Sequence, residues 1–298
     1  MVQKNIPDCR LSDRLYKFFF IKLISLIAVV SIVSCSAASN SPQRAIESVN
    51  SQPVATAQLN SGTLDRILST KRVRVAVSQD FPPFGSVDQT MQPQGYDVDV
   101  ARLLAADLQA DLQLVPVTSD RRLPVLLGGE VDVVIANLGA DPQRAKSIYF
   151  SNAYAPFYSG IYGTDNVSAA SYQDLKAYTI GITEGSLEDS VLTQKAPRET
   201  KIQRYKTNAL TIAALLEGKV NAIATSNIVA TKLIQENPDK TIGQKFIMQN
   251  SPCYIGIKRG DLDFLQWLNV FVTSKKLSGD LDALAEKWFG EPLGDLPS

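Results

Sequence analysis

The stretch NLGADPQR, Asn137 to Arg144, follows an apolar run and ends on an arginine. A guanidinium offers a planar fork of N–H donors that matches a carboxylate in bidentate fashion. From the residues alone, Arg144 reads as a surface arginine on a helix that starts after the Asp-Pro turn, and what it faces stays an open question. Asp97 and Asp99, in GYDVDVARLLAADLQ, form the next chemistry-bearing pair. Two carboxylates so close can do acid/base or metal work, yet nothing nearby supplies a further ligand or a nucleophile. Helix capping accounts for them better: Asp97 accepts backbone N–H bonds as the cap, and Asp99 in the first turn faces the positive end of the helix. The chain has no His, which removes Ser-His-Asp, Cys-His and His-based metal chemistry. No cofactor and no metal are expected.

The elements that must position these groups alternate along the chain. After a short helix around TLDRILSTK, strands are predicted at Val73–Ser78, Leu112–Val117, Val131–Ala136, Tyr178–Thr183, Ala222–Thr225 and Tyr254–Lys258. Helices are predicted at Val98–Leu108, Ala209–Glu217, Ile228–Glu236 and Phe264–Lys275. Val100, Leu103, Leu104 and Leu108 fall on one face at helical spacing. Such alternation points to α/β architecture, and 298 residues allow one large domain or two modest ones. With 30 Lys+Arg against 30 Asp+Glu and no basic tract through the body of the chain, nucleic-acid binding is not expected.

The first residues read as a targeting segment. Lys4, Arg10, Arg14 and Lys17 precede FFFIKLISLIAVVSIVSC, whose uninterrupted part is Leu23–Val33. That run reaches about 16 Å at 1.5 Å per residue, short of the ~30 Å hydrocarbon core. Residues 1–35 therefore read as a signal peptide rather than a spanning helix. The ending IVSC resembles a bacterial lipobox, which implies cleavage before Cys35 and lipid on that residue; an ordinary signal with an incidental cysteine is the alternative. Residues 36–60, rich in Ser, Ala, Asn and Gln, read as a flexible tether. Beyond them Cys253 alone remains, in SPCYIGIK, and a single thiol makes no internal disulfide; it reads as a buried strand residue.

Six segments carry a family resemblance: VRVAVSQDFPPFG, GYDVDVARLLAADL, RRLPVLLGGEVDVVIANLGADPQRAKSIYFSNAY, YTIGITEGS, ALTIAALLEGKVNAIATS and YIGIKRGDLDFLQWLNVFV…AEKWFG. In this order, from about Arg72 to Gly290, they resemble the bacterial extracellular solute-binding proteins that serve polar-amino-acid ABC transporters. The resemblance implies a two-lobed, type II-like periplasmic-binding-protein fold whose lobes are sheets flanked by helices, joined by a hinge the chain crosses twice. Lobe one is expected at residues 61–158 plus 253–298, and lobe two at 159–252. The crossovers are expected near FYSGIYG and NSPCYIG, with Gly160, Gly163 and Gly256 as hinge residues.

Site residues follow from the same resemblance. It implies that Arg144 grips a ligand α-carboxylate, that Asn137 and Gly139 line the ligand, and that Phe81 packs over its side chain. Arg122, in RRLP, matches an arginine that approaches a side-chain carboxylate in glutamate/aspartate-type members; a structural ion pair is the other reading. Ser186, in TEGS, would present an anion site at a helix start. The chain departs from the family pattern at Leu187, where Thr is common, at Ser78, where many members have Asp, and at Asn221 and Ser226, where carboxylates that pair a ligand ammonium are expected. A buried ammonium without such a partner costs several kcal/mol. Glu184 or Asp80 is left to supply the charge; otherwise the ligand is a carboxylate without an α-ammonium, or the protein has lost transport-type binding.

The resemblance thus implies a monomeric, extracytoplasmic binder, anchored through lipid on Cys35 at the periplasmic face or cell surface. It would capture a small polar ligand, with an amino acid of the glutamate or polar type favoured, and deliver it to an ABC permease. No catalytic residue is expected. The alternatives are a ligand sensor or non-transporting surface lipoprotein, or a dehydratase-type enzyme on the same scaffold with Glu184 as its acid.

Overall fold

The computed structural model describes residues 62–294 and 296. The expected signal peptide, lipidated Cys35 and tether lie outside the described residues. No helix among the described residues is long and apolar enough to cross a membrane.

Strand β1 (Arg72–Ser78) is apolar at Val73, Val75, Ala76 and Val77, all fully buried, as a strand covered on both faces must be. It pairs in parallel with β5 (Asp111–Val117) and with β6 (Val133–Val134). Two antiparallel neighbours, β13 (Cys253–Lys258) and β7 (Ile148–Ala155), complete the order β5-β1-β6-β13-β7. A second sheet has the order β10-β9-β11-β8-β12. Its members are β8 (Tyr158–Gly163), β9 (Thr179–Thr183), β10 (Lys201–Tyr205), β11 (Ala222–Ser226) and β12 (Gly243–Asn250). A small antiparallel sheet of β2 (Asp80–Phe81), β3 (Gly85–Val87) and β4 (Pro93–Gln94) extends from the end of β1. The chain passes between the two large sheets at Ala155–Tyr158 and again at Asn250–Cys253.

Helices flank both sheets. Against the first lie α1 (Thr63–Thr70), α2 (Tyr96–Asp107), α3 (Arg122–Gly128), α7 (Leu262–Leu277) and α8 (Asp280–Phe289). Against the second lie α4 (Leu187–Lys195), α5 (Asn208–Leu216) and α6 (Asn227–Glu236). The C-terminal helix is fastened by the KWFG motif. Lys287 Nζ and Trp288 Nε1 both donate to Asp99 Oδ2, at 2.7 and 2.8 Å. Phe289 packs its ring 4.7 Å from Tyr96 and 5.0 Å from Phe84.

Two local expectations are corrected. Asp97 does not cap α2: Gly95 does, with φ 134°, and a Cβ there would collide with the Phe84 carbonyl. Asp97 instead sits inside the first turn, fully buried. The apolar run Val131–Ala136 forms a strand only over Val133–Val134, and past it the carbonyls of Ala136 and Asn137 accept from Arg122. Helix α3 hides behind Pro124, yet a proline in the first turn costs nothing where the N–H has no intrahelical partner. Gly160, Gly163 and Gly256 lie within β8 and β13 without left-handed φ. Close packing explains Gly256, where a Cβ would lie 2.5 Å from Leu138 Cδ2.

Candidate functional site

The segment Ala136–Arg144 follows β6 and meets the second sheet's side at Leu187, which approaches Gly139, and at Gly185, which accepts from Arg144. Asn137 turns it with a left-handed φ of 48°, and two arginines hold its carbonyls. Arg122, from the start of α3, donates Nη1 to Ala136 O at 2.8 Å and to Asn137 O at 2.7 Å, and Nε to Ser119 O at 3.1 Å. Three of its five N–H donors are thus given to backbone. Arg144 begins a short 3-10 turn. Its Nη1 donates to Gly139 O at 2.8 Å, and its Nε lies 3.3 Å from Asp141 Oδ2. Its Nη2 crosses to the second sheet's side and donates to Gly185 O at 3.1 Å. Both guanidiniums are buried. Burial lowers the Arg122 pKa to about 10, helped by repulsion from Arg144 and opposed by Glu188, Asp80 and Asp97. Burial also lowers that of Arg144, against the attraction of Asp141, Glu188 and Asp189.

From the second sheet, the loop after β9 brings Glu184 to Leu187. Gly185 has φ 71°, and a Cβ there would lie 2.6 Å from Asp120 Cα, so the two sides meet backbone to backbone. Ser186 is the N-cap of α4; its hydroxyl accepts the Asp189 N–H at 3.1 Å, while Asp189 Oδ2 accepts the Gly185 N–H at 3.2 Å. The Ser186 oxygen is therefore engaged in capping. Leu187 projects onto Gly139: a Cβ on that glycine would lie 2.6 Å from Leu187 Cδ2 and 3.0 Å from Ser251 Oγ. A second tie joins the sides where Asp80 Oδ2 accepts the Asn208 N–H, at the N-terminus of α5, at 3.0 Å. Burial raises the Asp80 pKa, and that hydrogen bond opposes it.

The remaining expected residues lie apart from the arginines or serve other ends. Glu184 pairs with Lys206 Nζ at 2.6 Å, with 39% of its side chain exposed. Ser226 caps α6 by accepting the Val229 N–H at 3.1 Å. Asn221 accepts the Thr179 N–H at 2.7 Å at an exposed strand end. Phe81 is buried with its ring 6.2 Å from that of Phe84. Behind the segment, Cys253 Sγ contacts Asn137 Oδ1 at 3.1 Å, and Tyr154 Oη donates to Asp97 Oδ1 at 2.6 Å. Burial raises the Asp97 carboxyl to about 7, and its Oδ2 lacks a hydrogen-bond partner.

One residue escaped the sequence reading. Glu188, in the first turn of α4, is 3% exposed and accepts Ser159 Oγ at 2.8 Å. Its charge is felt by Arg122, Arg144 and Cys253. In sequence, SLEDS looks like an exposed first helical turn, and no local signal marks the glutamate as buried. Among the described residues no group of three or more His, Cys, Asp or Glu is arranged to hold a metal ion.

Comparison with known proteins finds the chain similar to binders of small solutes. The model of a family described as bacterial extracellular solute-binding proteins, family 3, matches residues 73–291. The ABC transporter glutamine-binding protein GlnH of Bacillus subtilis (strain 168) is 25% identical over 281 residues, covering 92% of this chain and 98% of that protein. A crystal structure of a mutant of ArgBP from T. maritima superposes with a TM-score of 0.71 at 28% identity, covering 77% of this chain and 100% of that one. The ancestral amino acid-binding protein AncCDT-1, a precursor of cyclohexadienyl dehydratase, superposes with a TM-score of 0.68 at 28% identity, covering 76% and 99%.

Proposed function

The chain belongs to the bacterial extracellular solute-binding proteins, family 3, and from that membership we propose that it captures an amino acid between its two large sheets and delivers it to an ABC permease. The observation that carries this reading is Arg144. Its buried guanidinium lies between the sheets, and each terminal nitrogen gives one N–H to a glycine carbonyl. The second N–H of each remains for a ligand carboxylate. Closure of the two sides on a ligand then yields a compact form that a permease can distinguish from the open one. Asn137 and Gly139 line the carboxylate end, and Phe81 backs the side-chain end through the aromatic cluster. Arg122 acts chiefly through the backbone it holds, which withdraws support from a glutamate-type side-chain site and leaves a polar amino acid as the ligand class. Cys35 carries the lipid, residues 36–60 are the tether, and the protein works as a monomer at the extracytoplasmic membrane face.

A ligand sensor or non-transporting surface lipoprotein is the second reading, favoured by Leu187, whose methyl group packs on Gly139 where a polar side chain would meet a ligand. The dehydratase reading loses its acid, since Glu184 is paired with Lys206 at the surface. The test is calorimetric titration of the purified protein, unfolded and refolded to strip carried ligand, with the twenty amino acids and L-cystine. Saturable binding of one or a few supports the transporter reading; binding of none overturns it.

A further inference from the structure

Glu188 is a buried carboxylate whose charge is felt by two buried arginines, Arg122 and Arg144, and among the described residues it forms an ion pair with neither. Its one side-chain hydrogen bond among these residues comes from Ser159 Oγ. A buried carboxylate left with a single neutral donor is costly unless a cation joins it. The strand register shows where that cation would sit. Ser159 is directly opposite Ser226 in the antiparallel pair β8–β11, so their side chains share a face with Cβ atoms about 4.5–5.5 Å apart. Glu188 thus reaches, from helix α4, the wall beside Ser226. Leu187, its neighbour, touches Gly139, and Gly139 O binds Arg144. The charge of Glu188 is felt at Arg144, so the acid and the arginine act on the same part of the molecule.

The geometry points to Glu188 as the counter-ion of the ligand's α-ammonium, which makes the ligand a zwitterionic α-amino acid rather than a simple carboxylate. This inference rests on the amino-acid reading above. Glu188→Gln tests it, because the amide is isosteric and keeps an oxygen for the Ser159 hydroxyl. The purified, ligand-stripped protein and the variant are titrated with the twenty amino acids and L-cystine, and with the des-amino acid of whichever binds. The variant is expected to bind the amino acid at least about thirtyfold more weakly with no comparable loss for the des-amino acid. Ser226→Asp, which keeps a capping oxygen, is expected to restore affinity in the E188Q background. Unchanged affinity of E188Q for the amino acid overturns the role of Glu188 while leaving the binding function intact. Equal losses for the amino acid and its des-amino form also overturn it, as does a folded variant that S226D does not rescue. If the wild type binds no amino acid, both readings fall.

Discussion

Leu187 of the second sheet's side and Gly139 of the first meet so closely that a Cβ on the glycine would lie 2.6 Å from Leu187 Cδ2. The contact adjoins Arg144, whose Nη1 donates to the Gly139 carbonyl. Gly139→Ala is expected to hold the two sides apart and weaken ligand binding about tenfold or more, given that overpacking costs roughly 1–3 kcal/mol. Leu187→Ala in the same chain should restore closure. Small-angle scattering reports the closure and calorimetry the affinity; a G139A variant as compact as wild type would refute the contact's role.

Arg144→Ala is expected to abolish ligand binding while the protein stays folded. Arg144→Lys should recover only part of it, because an ammonium is a point charge and cannot hold a carboxylate, Gly139 O and Gly185 O in one plane. Unchanged affinity in R144A would remove the carboxylate-clamp assignment.

Asp97 gives a pH signature. Burial raises its carboxyl from 3.8 to about 7 in the folded protein, so between those values the folded state binds the proton and the unfolded chain does not. The group therefore costs stability above pH 7, and that cost is progressively relieved as pH falls towards 4. Thermal melts of the wild type minus those of Asp97→Asn should rise as pH falls from 8 to 5. Parallel curves for the two proteins would show that Asp97 does not titrate in this window.

Asp99→Ala should loosen the C-terminal helix. It removes the acceptor shared by Lys287 Nζ and Trp288 Nε1, two part-exposed bonds that contribute about 1 kcal/mol each. We expect a destabilisation of about 2 kcal/mol in urea unfolding, together with a change in Trp fluorescence. A loss below about 0.5 kcal/mol, the range of ordinary surface substitutions, would mean that aromatic packing alone holds the helix.

Much of the fold was legible because its signals are local. Apolar runs such as Val73–Ser78 and YTIGIT announce strands, and Asn208–Leu216 and Leu262–Leu277 carry helical spacing. Helix α3 was masked by Pro124, and β10 and β12 by their half-exposed, polar character at the sheet edges. The KWFG ending was visible as a motif, but its partner, Asp99, lies 188 residues from Lys287 and 189 from Trp288.

By itself the sequence determined the alternation of strands and helices, the family and the single arginine after NLGAD, since each is written in contiguous residues. Tertiary structure alone decided which polar groups are buried and with which partners. Ser186 and Ser226 are engaged as helix caps by residues three positions away, and Glu184 meets Lys206 at the surface. Glu188, in contrast, is enclosed by Ser159, 29 residues away, and Arg144 is tied to Gly185, 41 residues away. Burial and pairing belong to contacts between distant parts of the chain. The same carboxylate in SLEDS is an ordinary helix-start acid in the unfolded sequence and becomes a buried charge in need of a cation only when β8 and α4 come together.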